Sequence, residues 1–360
     1  MKKTFFALLA GLFALAALAD SGGKFVDPLQ SPARLHSGAA KGTLMTVAVA
    51  GSRLVAAGRN GVVVYSDDNG GSWIQAAVPV QSALVALSFP TPLEGWAVGH
   101  DGVVLASQDG GKTWCGRLNG KSVATLSEEY YRQALEKNPA DVQLDAAHKQ
   151  AQRLVEDGPD KPFLDVWFSD SQHGYVIGAF GLILVTSDAG KTWLPLLHAI
   201  DNPSGFHLNS IRGSSQGVFI VGEQGLFLKL DPTSGRFKAM PFPYNGSLFG
   251  LVTDDARLFA YGLRGRLFRS HNAGASWESL DTGMTATINN GVYIPTAKRL
   301  ALVTQGGDLL ISDDDGQTFS RTACGMQAFS VTATSAGVLI VSGANGVRSL
   351  SVTPAPINKN

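Results

Sequence analysis

Four stretches of this sequence hold residues whose types and spacing could support catalysis or metal binding. Residues 213–217 read Gly-Ser-Ser-Gln-Gly and match the pattern of a nucleophilic serine, which requires a strand–turn–helix setting. His100 and Asp101 are adjacent and could act as a general base and the group that orients it. Asp101 and Glu223 could form the carboxylate pair of a glycoside hydrolase. The aspartates at 313–315 suggest a calcium loop, although they lack its alternating carboxylates and terminal glutamate.

Each of these stretches also has a structural interpretation, because each lies at a turn that recurs along the chain. The serine occupies a position where other repeats have a plain turn between strands, so we interpret the match as coincidental. His100 and Asp101 lie between two short glycine-flanked strands, and no third catalytic partner follows from the sequence. The function must therefore be sought in the elements that carry these residues.

The most frequent of these elements is an eight-residue pattern, [Ser/Thr]-x-[Asp/Asn]-x-Gly-x-[Ser/Thr]-[Trp/Phe], which occurs five times. The Asp or Asn side chain can accept hydrogen bonds from its own turn, glycine supplies a positive φ, and the aromatic ring is buried. The pattern resembles the Asp-box, a hairpin turn found in sialidases and other β-propellers. We predict a structural role for its acidic or amide and aromatic residues, which are Asp68, Trp73, Asp109, Trp114, Asp188, Trp193, Asn272, Trp277, Asp314 and Phe319.

A second motif, mostly Gly-x-x-Gly, gives the number of repeats. Its second glycine recurs at positions 61, 102, 181, 225, 265, 307 and 346, at intervals of 39 to 44 residues apart from one interval of 79. A period near 40 residues is that of a four-stranded propeller blade. The sequence therefore predicts an all-β fold, a seven-bladed β-propeller of four-stranded blades over residues 20–353. Because blade 7 lacks a fourth strand of its own, we expect residues 24–37 to supply it.

The long interval predicts a helical hairpin insertion after blade 2, at about residues 121–158. Apolar stripes indicate helices at 125–137 and 140–156, the first with a capping box between Thr125 and Glu128 and the second ended by Gly158. In a four-stranded meander the turns between strands 2 and 3 lie on the same side as the connections between blades, and the Asp-boxes lie on the other. Insertions of this kind usually lie on the binding face. The candidate partner-binding face then carries Arg59, Asn60, His100, Asp101, Phe206, His207, Glu223, Gln224, Tyr244, Arg264 and Asn345.

The first residues have the features of a cleaved secretory signal. Lys2 and Lys3 precede an apolar run at 5–18, and residues 17–19 read Ala-Leu-Ala, so we expect a signal peptide at 1–19. The expected location is the periplasm, with secretion as the alternative, and no membrane insertion after cleavage. Removal of the two lysines leaves 27 basic against 29 acidic side chains, which argues against nucleic-acid binding. We expect no cofactor, no metal, a monomer, and a C-terminal tail at 354–360.

The complete repeat, with phrases such as Gly-Trp-Ala-Val-Gly-His-Asp-Gly at 95–102, resembles the photosystem II stability/assembly factor family of Asp-box (BNR-type) propellers over about residues 40–350. The helical insertion fits an exported bacterial branch of that family. The resemblance implies a non-enzymatic scaffold that binds a protein partner through one propeller face, in part through arginines. By position, Arg264 and Arg59 are the candidates. The implied partner is a membrane protein or a transporter component, whose assembly or stability the scaffold assists.

A carbohydrate-active propeller is the alternative function, because sialidases and related glycoside hydrolases also carry Asp-boxes. A sialidase requires an arginine triad, a Tyr–Glu nucleophile and an early Phe-Arg-Ile-Pro stretch, and that stretch is absent from the sequence. The acid/base pair would have to be Asp101 and Glu223, which belong to blades 2 and 4. Turnover of sialyl or glucan reporter substrates would distinguish the two functions.

Overall fold

The computed structural model describes residues 26–350, which form seven antiparallel sheets and two α-helices. The predicted signal peptide and the C-terminal tail lie outside the described residues. The first three sheets contain the strands β1 Leu44–Ala50, β2 Arg53–Gly58, β3 Val63–Ser66 and β4 Ile74–Gln75; β5 Leu84–Ser88, β6 Gly95–Gly99, β7 Val104–Ser107 and β8 Cys115–Leu118; and β9 Phe163–Phe168, β10 Gly174–Gly178, β11 Ile183–Thr186 and β12 Leu194–Pro195.

The remaining four sheets follow in chain order. They contain β13 Leu208–Ser214, β14 Gly217–Gly222, β15 Phe227–Asp231 and β16 Arg236–Ala239; β17 Leu248–Thr253, β18 Leu258–Gly262, β19 Leu267–Ser270 and β20 Glu278–Leu280; β21 Ile288–Ile294, β22 Arg299–Thr304, β23 Asp308–Ser312 and β24 Ser320–Ala323; and β25 Ala328–Ala333, β26 Leu339–Gly343 and β27 Gly346–Leu350. Each sheet is a simple meander in which consecutive strands pair. This order follows from the short turns, which permit only antiparallel neighbours.

The sheets are arranged around a central channel. The first strand of each sheet contacts the first strand of the next, and β25 returns to contact β1, which closes the ring. Second strands such as β6 are buried along their whole length, whereas the outer strand β8 is largely exposed. A sheet covered on both faces by its neighbours needs apolar side chains on both faces, which explains the near-continuous apolar runs of the second and third strands. The predicted β-propeller fold is confirmed.

The last sheet differs from the prediction. It has three strands in the described part of the chain, and residues 26–37 contain no strand that could complete it. Instead, this segment runs beside sheets 1 and 2, where Ala33 N–H donates to Val78 O and Gln81 N–H donates to Pro28 O. The prediction that residues 24–37 supply the fourth strand was wrong for the described residues, because the two prolines at 28 and 32 restrict the backbone there.

Two helices lie between β8 and β9, namely α1 Gly120–Lys137 and α2 Val142–Asp157. Helix α1 begins five residues before the predicted start. Its N-cap is Asn119, whose side chain accepts from Ser122 N–H in a capping box, so the predicted box at Thr125 and Glu128 was wrong. Helix α2 begins after Asp141 and ends at Gly158, whose positive φ of 85° stops the helix as predicted. Within residues 26–350, no helix has the length and apolar character needed to cross a membrane.

Candidate partner-binding face

The Gly-x-x-Gly motifs of the first five sheets form one kind of turn. In sheet 1, Arg59 O accepts from Val62 N–H at 3.1 Å, and the two residues between them, Asn60 and Gly61, have φ of 56° and 68°. Two consecutive left-handed residues define a turn of type I′, which matches the twist of the strands that it joins. Asp101, Phe180, Gln224 and Arg264 occupy the Asn60 position in the next four sheets, with φ between 53° and 58°.

These turns lie against the connections between sheets. The residue after the first glycine donates its N–H to a carbonyl just before the first strand, as His100 does to Ala83 O at 2.9 Å. The second glycine packs against the connection that leaves its sheet, so that a Cβ at Gly225 would lie 1.8 Å from Tyr244 O. The turns and the connections therefore share one side of the propeller, which we call the turn face. We call the opposite side, with the Asp-boxes, the box face.

The structure places the predicted residues on the turn face in two groups. Those exposed to solvent are Arg59, Asn60, His100, Gln224, Arg264 and Asn345. Those half-buried are Asp101, Phe206, His207, Glu223 and Tyr244. Asn345 lies in a different turn, because β26 and β27 are joined by a two-residue hairpin with Gly343 opposite Gly346.

Few of these residues contact each other. His207 and Glu223 form the closest pair, since one Glu223 carboxylate oxygen accepts from His207 N–H at 2.8 Å and lies 2.9 Å from its Nδ1. Asp101 instead accepts from the Ser82 hydroxyl at 2.6 Å. Asp101 and Glu223 are thus engaged separately by different loops, with sheet 3 between them. The geometry does not bring them together as an acid/base pair.

The other catalytic motifs also have structural partners. The central serine of the Gly-x-Ser-x-Gly match, Ser215, lies in the turn of the β13–β14 hairpin, where Ser214 pairs with Gly217, so it belongs to a strand–turn–strand unit and does not precede a helix. Of the three consecutive aspartates, Asp313 pairs with Arg299 and Asp315 pairs with Arg257. The middle one, Asp314, belongs to an Asp-box. Residues 26–350 contain no cluster of three His, Cys, Asp or Glu side chains positioned to hold a metal ion.

The four boxes that contain an aspartate share one set of hydrogen bonds. In sheet 3, one Asp188 oxygen accepts from Thr192 N–H at 2.9 Å and from the Thr186 hydroxyl, and the other accepts from the Thr192 hydroxyl at 2.6 Å. These bonds, led by the Thr192 hydroxyl, lower the pKa of Asp188 to about 2. The Ser72 hydroxyl and N–H similarly lower the pKa of Asp68. On the box face, the carboxylates of the Asp-boxes are therefore hydrogen-bonded within their own turns.

The box aromatics close the outer part of each sheet. Trp114 and Trp193 are buried, and the Trp114 indole N–H donates to Gly111 O at 3.0 Å. Trp73, Trp277 and Phe319 are half-buried. Each ring lies one residue before the fourth strand of its sheet, so that it anchors the turn against the strand that follows.

The helical hairpin adjoins the turn face. Helix α1 starts against the sheet 2 turn, where a Cβ at Gly102 would lie 2.6 Å from Gly120 Cα, and the Gln150 amide of α2 donates to Phe180 O in the sheet 3 turn. Tyr131 anchors the hairpin to sheet 3, with its buried hydroxyl 3.1 Å from both Pro195 O and His198 Nδ1. The hairpin thus lies beside the turn face, in contact with the turns of sheets 2 and 3.

The central channel contains an ion pair that the sequence did not indicate. The channel is a mainly polar cavity of about 410 Å³ lined by the first strands of the sheets. Asp165 of β9 is buried, and one of its oxygens accepts from Arg212 Nη1 at 2.5 Å and from Ile211 N–H at 2.9 Å. This pair joins sheets 3 and 4 at the channel wall. No local motif marks it, because its two residues are brought together only by ring closure.

The sequence comparisons agree on one kind of relative. Residues 144–242 match the family model described as photosynthesis system II assembly factor YCF48. The chain is 24% identical over 195 residues to the photosystem II stability/assembly factor HCF136, chloroplastic, of Oryza sativa subsp. japonica, and 26% identical over 143 residues to the photosystem II assembly lipoprotein Ycf48 of Synechococcus sp. (strain CC9902). These alignments cover 45% and 36% of this chain, and 45% and 42% of the two relatives, so the chain matches less than half of their length.

Solved structures show the same fold over most of the chain. YCF48 bound to D1 peptide superposes with a TM-score of 0.62 at 18% identity, over 87% of this chain and 94% of that one. YCF48 from Cyanidioschyzon merolae gives 0.62 at 17% identity over 88% and 97%. The WD40 propeller domain of Doa1 gives 0.63 at 12% identity over 91% and 97%, so the superpositions establish the fold alone. The sequence matches confirm the resemblance that the repeats predicted: over part of its length the chain is similar to photosystem II assembly factors, and the superpositions show that its fold is a β-propeller.

Proposed function

We propose that this chain is an exported, non-enzymatic scaffold, a single ring of seven blades with a helical insertion, which binds a protein partner on its turn face. The partner is a segment of a membrane protein, and binding assists the assembly or stability of a membrane complex or transporter. The proposal treats the chain as a monomer in the periplasm.

The observation that carries this proposal is a difference in hydrogen bonding between the named side chains of the two faces. On the box face, the Asp-box carboxylates and hydroxyls bond to each other. On the turn face, the side chains of Arg59, Gln224 and Arg264 are exposed and have no hydrogen-bond partner within the described part of the chain. Exposed arginines with unused donors are suited to bind carboxylates and backbone carbonyls of a partner.

The relatives give the proposal its biological setting. The rice and cyanobacterial relatives are named as assembly factors, and one solved neighbour carries a D1 peptide. The Synechococcus relative is named a lipoprotein, which supports an exported location for proteins of this kind. By analogy, we assign this chain a peptide segment of a membrane protein as its partner.

A pull-down from detergent-solubilised membranes tests the proposal. The tagged protein is compared with Arg264→Glu on the turn face and with Lys191→Glu, an exposed lysine in a box of the opposite face. We expect the wild type and Lys191→Glu to recover the same membrane protein, and Arg264→Glu to recover about tenfold less. Recovery by Arg264→Glu equal to that of the wild type would contradict binding on the turn face, and so would a loss of recovery by Lys191→Glu.

Deletion of the hairpin is a poor test. Val123, Ala124 and Leu154 of the two helices belong to the apolar core between sheets 2 and 3. Their removal would expose that core, and a loss of binding would then report unfolding. Point variants on the exposed surface avoid this problem.

A further inference from the structure

Phe180 is an unusual residue in the turn of sheet 3. Its backbone is left-handed, with a φ of 56°, and half of its side chain (50%) is exposed to solvent. The equivalent positions hold Asn60, Asp101, Gln224 and Arg264, all polar. A bulky side chain at positive φ is strained, and exposure of an aromatic ring forgoes the free energy of burial. Folding alone therefore gives no reason for phenylalanine here.

The surroundings hold this ring in place. The Gln150 amide of α2 donates to Phe180 O at 2.7 Å, which fixes the backbone of the turn to the helical hairpin. The His207 ring lies 4.8 Å from the Phe180 ring, and Lys161 Nζ lies 5.3 Å from its centre. Helix α2 thus holds the backbone of the turn, His207 and Lys161 contact the ring, and half of the side chain remains open to solvent.

Three carboxylates lie against the lysine and the histidine that contact this ring. Lys161 Nζ lies 2.7 Å from Asp160 and 3.2 Å from Asp157, and His207 lies 2.9 Å from Glu223. The three carboxylates are between 37% and 65% exposed. Three negative groups therefore face one lysine and one histidine around an apolar centre. This charge is opposite in sign to that of Arg59 and Arg264 elsewhere on the turn face.

We propose that Phe180 and these three carboxylates form a docking site for a partner segment in which an apolar side chain is flanked by lysines or arginines. This inference rests on the proposed function and adds the chemistry of the partner. The apolar side chain packs on the exposed face of the Phe180 ring, and its basic neighbours approach Asp157, Asp160 and Glu223. An aromatic centre with a polar, charged rim is the usual arrangement of a binding hot spot.

Fluorescence anisotropy with defined peptides tests the site. The probe is a labelled peptide of sequence Gly-Lys-Lys-Phe-Lys-Lys-Gly, and its two controls replace the lysines by glutamates or the phenylalanine by serine. The protein variants are Phe180→Asn, which suits a left-handed backbone, and Leu194→Asn, a control residue on β12 that is equally exposed at 50%. A double variant, Asp157→Asn with Asp160→Asn, tests the charged rim.

We expect the lysine–phenylalanine peptide to bind the wild type and Leu194→Asn, and to bind Phe180→Asn about tenfold more weakly. The double variant should bind more weakly and show a smaller dependence on salt. Because asparagine relieves backbone strain, Phe180→Asn should melt at or above the wild-type temperature, which a purely structural phenylalanine would not allow. The inference is overturned if the glutamate peptide binds the wild type as tightly as the lysine–phenylalanine peptide does, or if no peptide binds. It is also overturned if Phe180→Asn binds the lysine–phenylalanine peptide with wild-type affinity.

The membrane pull-down separates this inference from the proposed function. Normal recovery by Phe180→Asn with reduced recovery by Arg264→Glu would remove the docking site and leave the scaffold function intact. Normal recovery by both variants would contradict binding on the turn face, and failure of the wild type to recover any membrane protein would contradict the scaffold function itself.

Discussion

Gly346 packs against Ala40, so closely that a Cβ at position 346 would lie 2.2 Å from the Ala40 carbonyl oxygen. The same relationship joins Gly61 to Val80 O, where the partner is the connection to the next sheet. The short 3-10 turn Ala39–Lys41 therefore takes the place of such a connection after the last sheet. Within residues 26–350, the ring closes through this seam and through the contact of β1 with β25, and no strand from another part of the chain completes the last sheet.

The seam predicts an unequal effect of two glycine substitutions. Gly346→Ala introduces both a steric clash with Ala40 and a side chain at a φ of 95°, and should lower the free energy of unfolding by about 2–3 kcal/mol. Gly337→Ala has a similar φ of 78° and nothing within 4 Å, and should cost only about 1 kcal/mol. Urea denaturation measures both. Equal losses would show that the seam does not contribute to stability.

The attachment of the hairpin predicts a difference between two neighbouring tyrosines. Tyr131→Phe leaves the buried Pro195 carbonyl without its donor and should cost about 1–2 kcal/mol. Tyr130→Phe is the control, because the Tyr130 hydroxyl has no hydrogen bond within residues 26–350. Chemical denaturation gives the free energies, and limited proteolysis between α1 and α2 reports release of the hairpin. If the two variants are equally stable, the Tyr131 hydroxyl does not hold the hairpin.

The Asp-boxes predict a loss of stability in acid. The folded pKa of Asp188 is about 2, below the value of about 4 for an unfolded chain. Its carboxylate therefore stabilises the fold above pH 4, and this contribution is lost as the pH falls towards 2. Asp188→Asn should show a smaller fall in melting temperature over this range, with little change near neutral pH. The natural Asn272 box supports this, because its Oδ1 accepts from Ser276 N–H and its Nδ2 donates to the Ser276 hydroxyl.

A matched substitution controls for the change in total charge. Asp281 is exposed, and its carboxylate accepts only the N–H of Gly283 among the described residues. Asp281→Asn should therefore leave the acid dependence of the melting temperature unchanged. If both variants behave alike, the box hydrogen bonds do not account for acid sensitivity.

The sequence predicted the parts of the fold that depend on local chemistry. Each Asp-box and each Gly-x-x-Gly turn is specified by residues within a few positions, and the repeat period then requires a ring. The start of α1 was missed because Asn119, Gly120 and Lys121 carry no apolar periodicity, although Asn119 is a good N-cap. The contact of Arg212 with Asp165 and that of Lys161 with Phe180 join different sheets or loops. Such contacts depend on ring geometry, which no short motif encodes.

The candidate site also contains residues that a local motif predicts and residues that only the folded structure reveals. Arg59, Gln224 and Arg264 could be placed on one face from the turn pattern alone. Phe180 was overlooked because its motif looks like the others, although an aromatic residue at the left-handed position was a visible signal. Its support by Gln150 and His207 comes from α2 and from a connection between sheets.

Site-specific photo-crosslinking tests the central claim most directly. A photoreactive residue is placed in place of Asn60 or Gln224 on the turn face, and in place of Ser234 or Gln317 on the box face, all four of which are exposed. After irradiation in intact cells, adducts are identified by mass spectrometry. We predict adducts with one membrane protein from the two turn-face positions and none from the box-face positions. Adducts from Ser234 or Gln317 with none from the turn face would contradict the account.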